Sequence, residues 1–158
     1  MKRMKPLALA AVGVLGLAAL AGGATLATAA SSASTAITAR QANFKKMGGA
    51  MKTLKDELSG GADKAKMIAA AKTIAAAGRK QGDLFPAGTG PSSGAKTDAL
   101  AAIWSDRATF DAGMKKMIAE ADKLAAVAGS GDASAIRAQF TATGKSCGAC
   151  HRQFRADN

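Results

Sequence analysis

The chain has no tyrosine and only one tryptophan and five phenylalanines, so aromatics make up 4 % of its 158 residues. Basic residues are plentiful but never cluster with interleaved aromatics, which argues against a nucleic-acid-binding surface. No stretch alternates valine, isoleucine or threonine in the manner of a strand. There is a single histidine and no carboxylate pair suited to acid–base work, so a side-chain enzyme lacks its usual groups. Proline is confined to three positions and cysteine to two. After the first 29 residues, no apolar run is long enough to span a bilayer.

What remains is rich in alanine and lysine, a composition that favours helix because alanine loses little entropy on entering one. The N-terminus is organised differently. "MKRMKP" is basic, "LALAAVGVLGLAALAGG" is apolar, and "ATLATAA" ends on Ala27-Thr28-Ala29. That order reads as a secretory signal, residues 1–29, cleaved to leave a domain of residues 30–158. An uncleaved membrane anchor is the competing reading. Cleavage would remove Lys2, Arg3 and Lys5 and lower the net charge from +11 to +8. The excess of positive charge is accounted for by solvated lysines on helix faces, or by steering toward an acidic partner. Export would place the chain in an oxidising compartment, the periplasm, and after cleavage off the membrane.

Glycines and prolines divide the rest into four helical segments. In the first, about 34–58, Ile37, Arg40, Phe44, Met47, Met51, Leu54 and Leu58 recur at spacings of three and four, and "SGG" at 59–61 ends it. The second runs from about 62 to 77 on Met67, Ile68, Ala71, Ile74 and Ala75, closed by Gly78. "LFPAGTGPSSGAKT", residues 84–97, excludes regular structure and reads as a crossover or a site-lining loop. The third segment, about 98–128, repeats Ile103, Phe110, Met117 and Leu124 every seven residues. After "GSGD", with Asp132 or Ser134 as N-cap, the fourth runs from about 133 to 155. Its Ile136, Phe140, Thr143, Cys147, Cys150 and Phe154 share a face. The expected fold is all-α, an antiparallel four-helix bundle. Its helices carry alanine where a packed interior needs volume, so something bulky and apolar would fill the deficit.

Both cysteines and the histidine fall in Cys147-Gly-Ala-Cys150-His151. Cys-x-x-Cys-His is the attachment pattern of c-type haem. Each thiol adds across one porphyrin vinyl group, the two-residue gap lets both sulfurs reach neighbouring pyrroles, and the adjacent imidazole faces the iron. Three other readings have less support. A thioredoxin-like pair wants a βαβ setting and a helix N-terminus. A zinc site wants about four ligands. A disulfide between such near neighbours would constrain almost nothing. The reading adopted is one haem c, covalent through two thioether bonds on Cys147 and Cys150, with His151 as the metal ligand.

A C-terminal "CGACHRQFR" on the last helix of an exported bundle resembles the cytochrome c′ family, the class II c-type cytochromes. "ARQANFKKMGGAMKTL" at 39–54 is similar to that family's first helix, "LFPAGTG" at 84–90 to its central loop, and "AAIW" at 101–104 to the start of its third helix. The resemblance implies a left-handed four-helix bundle around one haem, often a homodimer. It also implies that Arg40 and Gln41 lie by the haem, with Arg40 near a propionate. Thr97 and Asp98 would add contacts, Asp98 standing where the family pattern has glutamate. Arg155 would be the basic residue one turn after His151. The residue one turn beyond Arg40 would face the sixth coordination position, and here it is Phe44, which has no lone pair to offer.

Two functions follow from the resemblance. The first is a periplasmic haem protein with five-coordinate, high-spin iron and a hindered distal side, acting in electron transfer with redox partner proteins or in binding NO and CO. The second is a low-spin electron carrier resembling cytochrome c-556, with a methionine such as Met47 as sixth ligand if the register slips. Neither is an enzyme in the acid–base sense.

Overall fold

The computed structural model describes residues 22–157, with side chains from residue 31 onward. The expected leader therefore lies, through residue 21, outside the described residues. Among those described, the secondary structure is helical apart from one isolated bridge, and no helix is long and apolar enough to cross a membrane. The helices are α1 (Gly22–Asp56), α2 (Lys64–Gln81), the short α3 (Ala102–Ser105), α4 (Arg107–Ser130) and α5 (Ala133–Phe154).

Three of the four long helices begin on an aspartate cap, the short polar side chain satisfying amide groups that have no partner inside the helix. Asp63 accepts from the Lys66 amide, Asp106 from that of Thr109, and Asp132 from those of Ser134 and Ala135. Between α1 and α2 a π-turn, Glu57–Gly61, leads to Ala62 in the left-handed region at φ 53°. α2 packs on α1 and α4, and α4 packs on α5, giving the antiparallel up-and-down bundle.

Four features differ from the sequence reading. α1 begins at Gly22 rather than near residue 34, so it includes the last residues of the expected leader. Gly78 does not end the second helix, which continues to Gln81. Gly78 is buried where α2 crosses α4, and a Cβ there would stand 3.3 Å from the Met117 sulfur, so the residue serves a close approach. The third segment is not one helix. Its first turn breaks at Asp106 (φ −123°, ψ 58°), whose side chain is used to cap α4. Residues 98–100 are drawn into a bridge with the end of α5. The central loop is not wholly irregular: 3₁₀ turns form at Gly82–Leu84 and Pro91–Ser93.

The interior is divided along the bundle axis. At one end Leu54, Ile74, Ala121, Leu124 and Ile136 form a solid cluster, each fully buried. At the other, Met47, Phe85, Ile103, Phe110, Met114, Met117 and Phe154 form an apolar shell around a hollow. Leu124→Ala should cost about 2–5 kcal/mol, because the solid end offers no hollow into which neighbours can relax without loss. A denaturant titration monitored by helical circular dichroism measures it.

The α4–α5 seam is stapled by Glu120. Its carboxylate accepts from Gln139 Nε2 at 2.6 Å, and its backbone carbonyl accepts from Gln139 at 3.1 Å and from the Thr143 hydroxyl at 3.2 Å. The Gln139 bond, and then Lys123, hold its acidity above that of an ordinary glutamate. A folded-state pKa depressed in this way contributes stability above the unfolded value, and that contribution is lost as pH falls through the folded value. Glu120→Gln should therefore be less stable than the parent at neutral pH, and the gap should close on acidification below about pH 4. Midpoints measured across that range test the sign.

Candidate functional site

The hollow end encloses a cavity of about 690 Å³, within the ~300–1,000 Å³ of ordinary cofactor and ligand pockets. It lies at the seam between α1 and α5, which both line it; that seam is the least packed of the four lateral seams. Arg40, Gln41 and Phe44 from α1, Thr97 and Asp98 from the loop before α3, and Cys147, Cys150 and His151 from α5 all line it. Met47 and Met51 line it further along α1, and Arg155 lines it beyond α5.

Cys147 and Cys150 are half-buried free thiols in the last two turns of α5. Burial raises the pKa of both, Cys150 further by its neighbour Cys147. A redox-active cysteine pair has the opposite character, a thiolate stabilised at a helix N-terminus or by a cation. Among the described residues, no three histidine, cysteine, aspartate or glutamate side chains converge as metal ligands. His151 stands exposed at the cavity mouth. Desolvation and then the charge of Arg155 lower its pKa, which favours the neutral imidazole that binds metal. Its ring meets Phe44 edge-on across the seam, centroids 6.1 Å apart.

The end of α5 is fixed from outside the helix. Leu100 N donates to Phe154 O at 3.0 Å and Ala156 N to Asp98 O at 2.8 Å, making the bridge between Ala99 and Arg155. The Arg155 guanidinium lies 3.8 Å from the Asp98 carboxylate. These contacts set the position of the turn that carries His151.

Arg40 is 2 % exposed. The sequence suggests a carboxylate of the bound group as its partner, yet uncharged loop atoms already hold its fork. Nη2 donates to Thr97 Oγ1 at 2.8 Å and to Thr89 O at 3.1 Å, and Nη1 to Thr89 Oγ1 at 3.3 Å. The guanidinium also stacks 4.5 Å from the Phe85 ring centroid. Among the described residues no carboxylate pairs with it, and burial lowers its pKa. It is a desolvated cation whose charge the protein leaves uncompensated, on the wall of a cavity. Gln41 Nε2 donates to Lys96 O at 3.1 Å, so the pair Arg40-Gln41 knits α1 to both ends of the central loop.

Sequence reasoning missed the loop's own scaffold. Thr89 is buried, Trp104 Nε1 donates to Pro86 O at 3.0 Å, and Arg107 donates to Phe85 O at 3.0 Å. A Cβ at Gly90 would come within 3.0 Å of the Trp104 ring, so that glycine permits the loop to lie on the indole. The signal was present in Phe85, an aromatic set within a loop of glycines and prolines.

Two closely spaced free thiols, an imidazole whose neutral form is favoured, an apolar cavity and a buried cation without a carboxylate partner among the described residues fit one covalent porphyrin bearing carboxylates. Bundle and site together define a c-type haem protein of the helical, C-terminally attached class. The chain belongs to the cytochrome c′ family, whose profile, described as Cytochrome C′, matches residues 35–155. That family binds covalently attached c-type haem. The chain is 43 % identical to cytochrome c′ of Rhodospirillum rubrum over 109 residues, 66 % of this chain and 68 % of that one. Among solved structures it is similar to a cytochrome c′ described for unusual ligand-controlled dimer dissociation (TM-score 0.75, 30 % identity, 79 % of this chain and 97 % of that one). It is also similar to a nitric oxide complex of a cytochrome c prime variant from Alcaligenes xylosoxidans (TM-score 0.69, 29 % identity, 77 % and 94 %). A carbon monoxide-bound variant of the same protein matches with TM-score 0.70, 28 % identity and the same two coverages.

Proposed function

We propose that this chain is an exported, periplasmic cytochrome c′ with five-coordinate iron that binds NO and CO at a hindered distal side and exchanges electrons with redox partner proteins. Cys147 and Cys150 hold the haem, and His151 is its axial ligand. Arg40 meets the charge of a propionate, with Gln41, Thr97 and Asp98 completing that wall. The group, when bound, supplies an iron site for diatomic gases and a one-electron couple.

The observation that carries the reading is the Phe44 ring facing the His151 ring across the seam. A hydrocarbon on the side opposite the axial imidazole cannot coordinate, and its bulk crowds any incoming ligand. The methionine alternative is less well supported: Met47 is 6 % exposed and packs in the apolar shell with Ala77, Phe110 and Met114, where a thioether serves as filling. Similarity to solved NO and CO complexes supports gas binding, and similarity to a ligand-responsive dimer supports a homodimer.

The test is optical. Ferric holoprotein should be high-spin, and reduced holoprotein titrated with NO should end as a five-coordinate nitrosyl, with weaker binding of CO. A low-spin ferric spectrum with a sulfur-to-iron band in the red would instead establish methionine ligation.

A further inference from the structure

The mouth of the cavity carries unpaired positive charge. Lys45 lines the opening on α1 and is exposed. Lys96 is exposed on the loop, its carbonyl held by Gln41 beside the mouth. Arg152 is exposed on α5 next to His151, and its guanidinium reaches to 3.5 Å from where a Cβ would stand on Gly148, which itself lines the cavity. Among the described residues none of the three is in an ion pair. The acid lining the mouth, Asp98, is already engaged by Arg155. Along α5 there is no acidic residue from Ala133 to Phe154, and along α1 none between Gly22 and Asp56. By contrast, the acids of α4 (Asp111, Glu120 and Asp122) are each paired with a base, Arg107, Lys123 and Arg79.

We infer that the α1–α5 mouth, with Lys45, Lys96 and Arg152, is the docking surface for an acidic, carboxylate-rich redox protein. This rests on the reading of the cavity as a haem site. On that reading the seam, being the open side of the cavity, is where a bound cofactor would be nearest to solvent and where an electron would have the shortest way out. A ring of like charges around that opening attracts an acidic surface and orients it edge-first. Because the three side chains are exposed, they act by steering rather than by strong contact, and their effect is screened over about 10 Å at 0.1 M salt.

Hexacyanochromate(III), a redox-inert paramagnetic trianion, reads the surface directly on the ¹⁵N-labelled ferrous holoprotein saturated with CO, in which the iron is diamagnetic. Amide signals of residues 45, 96 and 152 and their neighbours should broaden first, ahead of those on α2. Lys45→Glu/Arg152→Glu should weaken that binding by ~10-fold, while the matched reversal Lys72→Glu/Lys80→Glu on α2 should change it less than ~2-fold. A second readout is oxidation of the reduced holoprotein by hexacyanoferrate(III), in which one electron passes to give hexacyanoferrate(II). The rate should fall with ionic strength in the parent and in the α2 variant, and lose most of that dependence in the mouth variant. Broadening spread equally over α2, or equal losses in both double variants, would overturn the docking surface and leave only net charge. The ferric spin state is recorded on the same samples, so a failure of the five-coordinate reading is seen separately.

Discussion

A Cys147→Ser/Cys150→Ser variant is expected to carry no covalent haem at all. The two thiols are the chain's only cysteines, and both face the cavity from successive turns of α5. A serine hydroxyl cannot form the thioether. Haem staining after denaturing electrophoresis should fall from full intensity to none, and each single variant should keep one linkage at reduced yield. The helices should survive, because the solid cluster of Leu54, Ile74, Leu124 and Ile136 contains neither cysteine. Circular dichroism on the same material separates loss of attachment from loss of fold. Covalent haem persisting in the double variant would refute the assignment.

Substitution at Phe44 should have the next largest effect, and in two directions. Phe44→Ala removes the ring that faces His151 and should raise CO affinity at least ~10-fold, about 1.4 kcal/mol. Phe44→Met puts a thioether in the same place and should turn the ferric spectrum low-spin. Phe44→Leu keeps an obstructing side chain without a lone pair and should leave both properties near the parent. The ring is half-buried and also meets Phe85 edge-on at 6.3 Å, so some loss of stability accompanies the alanine change. Affinity and spin state are independent of that loss as long as the protein is folded. Unchanged CO binding in the alanine variant, with a high-spin methionine variant, would remove Phe44 from the distal side.

Much of this arrangement is legible in the sequence because helix periodicity is a local code. Ile37 and Leu54 on α1, Leu58 in the turn that follows it, Met67 and Ile74 on α2, and Phe110, Met117 and Leu124 on α4 are read from spacing and are buried in the structure. All eight residues singled out as site candidates line one cavity, although they span positions 40 to 151. Some of that depended on a resemblance: nothing in spacing alone ties Thr97 to Arg40. What stayed hidden is non-local. Gly78 reads as a helix stop, and only the crossing with Met117 reveals why it lies inside α2. The break at Asp106 depends on a cap competing with helix continuation, and the bridge at Ala99 depends on where α5 ends. The loop partners of Arg40 were not foreseen because a loop of glycines, prolines and threonines shows no pattern that would announce its carbonyls as a cradle.

The division of the interior into a solid end and a hollow end has a consequence for evolution of the site. Three helix seams and one packed cluster carry the fold, so the fourth seam is relieved of holding the bundle shut. Side chains along it that stand outside that cluster, such as Phe44 and Gly48, can be exchanged at small cost to the architecture. On the proposed reading, the same scaffold could therefore be tuned between gas binding and electron carriage by single substitutions on one face of α1, with the cysteines and histidine on α5 kept fixed. Such a bundle separates what must be inherited from what can be tuned.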